Sequence, residues 1–231
     1  GHGAILNSHS SHHTWGNIGY YLSSNIRFMN AIGYTKMVLN PDSWEGWFWG
    51  AAHHYGYTMR MGTAEPYGQV EDCLKEAELI VYWASDPETT CGSYAAFEGT
   101  VRRQWARQLG IEMIHIDPYK NTTASWIGGE GGSIRAGGGG APGPAVGPFL
   151  IKAIAHVWIK EGLYDKEYVE NRTTGFEGYR AYVLGEDDGI EKSPEWQAPE
   201  TGVQPHVVRA LARQWGTKKT YLSCGGKGVG F

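Results

Sequence analysis

The stretch Leu79-Ile80-Val81-Tyr82-Trp83-Ala84-Ser85-Asp86-Pro87 decides the fold. Five apolar residues in a row form a strand covered on both faces, as in parallel sheets. Ser-Asp-Pro is a strand terminator. Upstream, Pro66 opens a helix that runs through Ala77. Downstream, Ser93 to Leu109 carries a long amphipathic helical pattern stopped by Gly110. Ile111 to Ile116 is a second strand, closed by Asp117-Pro118. Strand, helix and strand in that order imply βαβ units, hence a mostly parallel, Rossmann-like sheet with helices on both faces.

The same pattern extends outward. Gly3 to Asn7 reads as a short strand. Ile18, Leu22, Ile26, Met29 and Ile32 recur at helical spacing, and Gly33 fits the stop. Lys36 to Leu39 is a strand closed by Asn40-Pro41. Residues 148–218 read as mainly helical, with helices at Ile151–Gly162 and Pro205–Trp215. Thr220 to Ser223 is a last strand running into Gly225-Gly226. The expected organisation is an α/β region over 1–147 and a helical extension over 148–231 that returns to the sheet. The strands near 36–40, 79–84, 111–116 and 220–223 are expected to lie parallel in one sheet.

Composition narrows the function. The chain has 231 residues and a formal charge of -4. A general nucleic-acid binder needs a basic surface, so that class is set aside. No apolar run reaches the ~18–20 residues of a membrane span. Glycine accounts for 34 residues, roughly twice the ordinary share of ~7%, which supplies turns and close backbone approaches. The 10 Trp supply aromatic walls for a core or a flat ligand. Cys73, Cys91 and Cys224 have neither zinc-site nor disulfide-framework spacing, so they read as reduced thiols of a cytoplasmic protein. The sequence starts without Met and stops just after a strand, so it reads as a piece of a longer chain.

Four polar or Gly-rich loops follow strands directly: Asn40 to Ser43, Ser85 to Pro87, Asp117-Pro118 and Cys224 to Gly226. In a parallel sheet all four fall on the carboxyl edge, where open α/β sheets bind ligands. Such residues also simply end strands. Asp117 has two readings, a carboxylate gripping a ribose diol or an Asx turn before proline. The spacings GxxxxGK[ST], HExxH and GxSxG are all absent. His9, His12 and His13 form one group and His53-His54 another, either solvent-facing or suited to proton transfer near neutral pH. Asp42-Ser43 ahead of Trp44-Glu45 is, on residue chemistry alone, a helix cap.

Several stretches taken together resemble the molybdopterin oxidoreductases of the dimethyl-sulfoxide-reductase family. Trp83-Ala84-Ser85-Asp86-Pro87-Glu88-Thr89-Thr90 resembles the family's W-G-x-N-P-x-x-T loop. Ile116-Asp117-Pro118 through Thr123-Ala124 resembles its I-D-P-R-x-T-x-T-A segment. Gly162-Leu163-Tyr164-Asp165-Lys166, Gly175-Phe176-Glu177 and Ser193-Pro194-Glu195-Trp196 follow in the family's order. Asp42-Ser43-Trp44, His12 to Gly16 and Gly189 to Pro194 resemble the branch that moves hydroxyl groups between polyhydroxylated benzenes, pyrogallol to phloroglucinol.

That resemblance implies a catalytic subunit carrying molybdenum bis-(molybdopterin guanine dinucleotide). It implies Ser43 as the metal ligand, since a hard, high-valent metal favours alkoxide oxygen. It implies Asp42 and His12 in proton transfer, with His13 an open alternative, and Trp44 beside the substrate. Ser85, Asp86, Thr90 and Asp117 would hold the cofactor, with Gly225 and Gly226 allowing close approach. The implied partners are an aromatic small-molecule substrate, a small iron–sulfur subunit and the remaining domains of the same chain. Ala84 and Asp86 depart from the family's Gly and Asn, and P-G-T-D is missing near Arg135 to Pro142. An S-oxide or N-oxide reductase of the same family is the second reading. A nucleotide-binding module without chemistry is the third.

Overall fold

The computed structural model describes residues 2–7, 24–35, 50, 52–54, 56, 70–90, 96–128, 132–136 and 146–224. The chain forms two compact units, Gly1–Glu65 and Pro66–Phe231.

In the first unit, helix α1 (Ser24–Ile32) ends at Gly33, whose φ of 77° suits a residue without Cβ. Leu6 and Thr35 flank that helix and pair as one parallel bridge. The strand expected at Gly3 to Asn7 is reduced to this bridge, because His2–Ala4 is a turn of 3₁₀ helix. The expected strand at Lys36 to Leu39 lies outside the described residues.

The second unit carries the sheet. Its elements are α2 (Val70–Glu76), β1 (Leu79–Trp83), α3 (Pro87–Thr90), α4 (Ala96–Gln108), β2 (Glu112–Asp117), α5 (Thr122–Trp126) and β3 (Ser133–Arg135). There follow α6 (Gly147–Glu161), α7 (Lys166–Arg172), α8 (Phe176–Leu184), α9 (Pro194–Thr201), α10 (Pro205–Thr217) and β4 (Thr220–Cys224). The strand order is β3-β2-β1-β4, parallel throughout. Three of the four strands expected in one parallel sheet are therefore there. The fourth described strand, β3, was not expected: three residues between glycine-rich stretches are too short to show alternation.

Alternation along β1 explains the two cores. Leu79 and Val81 join Ile114, Ile116, Leu150, Ile154, Val208 and Leu211 under α6 and α10. Ile80 and Tyr82 join Cys73, Ala106, Ile111 and Met113 under α2 and α4. Both faces of the sheet are thus covered, which is why β1 is apolar at every position. Fully burying one such aliphatic side chain is worth about 1.5–3 kcal/mol. Among the described residues no helix is long and apolar enough to cross a membrane.

Candidate functional site

The chain leaves β1 to build β2 and β3 on one side, then returns through the helices to place β4 on the other. The crevice between the carboxyl ends of β1 and β4 is therefore a topological switch point. Ser85, just after β1, and Ser223, in β4, meet there with hydroxyl oxygens 3.4 Å apart, both buried.

The loop after β1 turns sharply. Ala84 has φ 46°, the sole positive φ outside glycine among the described residues. A residue with a Cβ pays roughly 1 kcal/mol there, which explains why the resembling motif has Gly at that place.

Asp86 then reaches across to the loop after β2. Its carboxylate accepts from the Thr123 hydroxyl at 2.7 Å, the Thr123 N–H at 2.9 Å and the Thr122 N–H at 3.4 Å. Burial pushes this carboxyl up, but the Thr123, Thr89 and Thr122 donors outweigh it and hold it below the usual carboxylate range. An Asn at this position has one acceptor oxygen and would serve those donors less well.

Asn121 performs the second tie. Its amide donates to the Ser85 carbonyl at 3.2 Å and to one Asp117 oxygen at 3.0 Å. Its own oxygen accepts from the Ala124 N–H at 2.8 Å, capping α5. Asp117 is half-buried, and its other carboxylate oxygen has no partner among the described residues. Below the loops, the Glu88 carboxylate accepts from Thr100 at 2.6 Å and from Arg103 Nε at 2.5 Å. The Glu88 N–H donates to Thr123 at 3.1 Å. One polar network thus runs from α4 through both loops.

Of the residues expected at the site, Ser85, Asp86 and Asp117 come together on this edge. The Thr90 backbone ends α3, two residues past Glu88. His12, His13, Asp42, Ser43, Trp44, Gly225 and Gly226 lie outside the described residues. Sequence reasoning missed Asn121, Glu88 and Arg103. Asn121 had a readable signal, as a cap residue three before Ala124. The other two had none, because their pairing depends on how α4 packs. Among the described residues no three His, Cys, Asp or Glu side chains are grouped to hold a metal ion.

Beneath the edge, His115 stacks on Tyr82 with ring centroids 4.7 Å apart and planes 6° apart. Burial lowers the His115 imidazole to about 4, against the pull of the Asp86 charge. The unfolded chain takes up this proton near pH 6.5 and the folded chain near 4, so folding is fully favoured above 6.5 and weakens as pH falls toward 4. Replacing His115 by Gln should flatten that part of the stability–pH curve, as read by urea denaturation at several pH values. An unchanged slope would show that His115 takes up its proton over the same pH range in both states.

An open parallel sheet with an acidic residue at the second strand end has its crevice at the switch point, the place where open α/β sheets bind ligands. No family model matches the chain. Over 228 residues, 99% of this chain, it is 49% identical to the pyrogallol hydroxytransferase large subunit of Pelobacter acidigallici. It is 32% identical over 177 residues to the dimethyl sulfoxide/trimethylamine N-oxide reductase of Cereibacter sphaeroides, a match covering 71% of this chain. The trimethylamine-N-oxide reductase of Pasteurella multocida is 29% identical over 228 residues, 94% of this chain. The chain spans about a quarter of the length of these relatives, 25%, 20% and 26% respectively. Acetylene hydratase from Pelobacter acetylenicus shares the fold over 66% of this chain and 18% of its own, with TM-score 0.52 at 19% identity. The chain is thus a relative of the dimethyl-sulfoxide-reductase-type molybdopterin oxidoreductases. Among the relatives named here, its identity is highest to the hydroxytransferase large subunit.

Proposed function

We propose that the chain is the cofactor-binding part of the large, catalytic subunit of a molybdenum enzyme that transfers hydroxyl groups between polyhydroxylated benzenes, pyrogallol to phloroglucinol. The observation carrying this reading is the 49% identity over 99% of the chain to a pyrogallol hydroxytransferase, against 29–32% to the oxide reductases.

The described residues fit the nucleotide half of a molybdopterin guanine dinucleotide. Asp117 has a carboxylate oxygen without a partner at the carboxyl edge, the acceptor a ribose diol needs. In this reading Ser85, Asp86, Thr90 and Asp117 shape and line the edge, and Gly225 and Gly226 let backbone approach the cofactor. Asp86 contributes by fixing the two loops against each other. Ser43 supplies the alkoxide ligand to molybdenum, and the bound metal supplies the two-electron chemistry. Asp42 and His12 hold and move protons of the substrate hydroxyls, and Trp44 walls the aromatic ring. Residues 1–147 form the cofactor-binding region and 148–231 a helical segment that returns to the sheet. A small iron–sulfur subunit, the rest of the parent chain and a cytoplasmic setting complete the proposal.

The oxide-reductase reading rests on the more distant relatives. Pyrogallol and phloroglucinol are isomers, so their interconversion consumes no net electrons, whereas oxide reduction consumes two. The full parent protein should therefore contain molybdenum and, given a more highly hydroxylated benzene as hydroxyl donor, convert pyrogallol without an added reductant. Oxide reduction with a dye donor, and no pyrogallol conversion, would overturn the proposal in favour of the reductase. Absence of molybdenum would leave a binding module.

A further inference from the structure

We propose that Tyr119 is the platform on which this edge stacks a purine base, with Asp117 holding the ribose of the same nucleotide. The inference rests on the nucleotide reading of the edge given above and deepens it.

The loop from Asp117 to Asn121 is tied on both sides of Tyr119 and Lys120. The Ala136 N–H donates to the Asp117 carbonyl at 3.0 Å. Arg135 Nε donates to the Pro118 carbonyl at 3.2 Å. Asn121 holds one Asp117 oxygen and caps α5. Pro118 itself locks one backbone torsion. On this rigid loop Tyr119 stands 65% exposed, and neither its ring nor its hydroxyl has a partner among the described residues. Lys120 beside it is exposed as well.

A rigid loop that presents a bare aromatic ring beside a half-free carboxylate matches a nucleoside. A ribose diol accepted by Asp117 carries its base one carbon away. Asp117 and Tyr119 are separated by at most about 7 Å of backbone, so the ring of Tyr119 is within reach of that base. Every base offers a π-face, and a purine offers the larger one. A loop held beforehand loses little conformational freedom on binding.

The test uses the full parent protein freed of its cofactor, with GDP and ribose 5-phosphate as probes in equilibrium dialysis. Wild type should bind GDP clearly more tightly than ribose 5-phosphate. Tyr119→Ala should weaken GDP about tenfold or more, the scale of one base–aromatic stack, and erase the preference over ribose 5-phosphate. Tyr119→Phe should keep both, and Asp117→Ala should weaken both probes. If GDP binds and Tyr119→Ala leaves affinity and preference unchanged, the platform is wrong while the nucleotide edge stands. If wild type binds neither probe, the nucleotide reading falls and this inference with it.

Discussion

Glu88→Ala should destabilise the second unit by about 3–5 kcal/mol, the scale of stranding one partner of a buried ion pair. The side chains of Arg103 and Glu88 are 0% and 4% exposed. Among the described residues two guanidinium nitrogens of Arg103 lack partners, and Nε to Glu88 is its one hydrogen bond. Removing the carboxylate leaves a buried cation without its counter-charge. Removing both charges is a different experiment. Glu88→Met with Arg103→Met should cost far less than Glu88→Ala alone, since well-packed apolar replacements of buried pairs are often close to neutral. Denaturant unfolding of the full protein reads both. A loss under 1 kcal/mol for Glu88→Ala would mean that Arg103 finds water or a second acceptor.

The pair also bears on the site, because Glu88 lies in α3 between the Asp86 loop and α4. Its N–H holds the Thr123 hydroxyl that Asp86 also uses. That N–H belongs to the backbone, so the double variant is expected to keep the tie to Thr123 and to lose only the bonds of the Glu88 carboxylate to α4.

These connections mark where sequence stops being informative. β1 was legible because burial on both faces leaves a continuous apolar run. β2 was legible for the same reason, apart from His115, whose burial a polar residue type conceals. The carboxyl edge was legible because Ser-Asp-Pro and Asp-Pro end strands in a recognisable way. The network behind it was not, since Asp86 and Thr123 are 37 residues apart and meet only once the strands pair. Asp86 read from sequence as an Asn that had lost its amide donors. In the fold, four lone-pair sites facing two N–H groups and a hydroxyl suit the acid better.

The run from Gly189 to Pro194 shows the opposite case, a stretch legible as a resemblance whose physical reason lay elsewhere. Lys192 is buried, bonds to the Asp188 carboxylate at 2.6 Å and to the Ile190 carbonyl at 2.6 Å, and sits 4.1 Å from the Tyr182 ring centre. Gly185 has φ 78°, and a Cβ there would come within 2.6 Å of the backbone of Ile190 and Glu191. His156 and Lys160 hold Glu191 from α6 at 2.8 and 3.0 Å. The run is a clip joining α8 to α9. In this chain the run serves helical packing, and the chemistry must be argued from the residues near 12 and 42–44.

At those residues the expected result is a separation of two defects in the intact enzyme. Ser43→Ala should change the metal's coordination, read by X-ray absorption and by its electron paramagnetic resonance signal. Asp42→Asn and His12→Phe should keep metal and cofactor while slowing hydroxyl transfer by about 10²-fold or more, the usual worth of a positioned proton carrier. The argument rests on chemistry. A phenolic hydroxyl near pH 7 holds its proton, so moving oxygen between two rings needs one group to take a proton and another to return it. A carboxylate and an imidazole divide those tasks, because their ordinary pKa values lie on the acid side of neutrality and near it. Each variant should accordingly lose one limb of the pH–rate profile, Asp42→Asn the acidic limb and His12→Phe the limb near neutrality. His13→Phe serves as the control, with wild-type rate and profile if His12 is the carrier. Normal turnover and pH behaviour in Asp42→Asn would reduce Asp42 to a helix cap, and the proton-transfer assignment would then fail for this chain even with Ser43 on the metal.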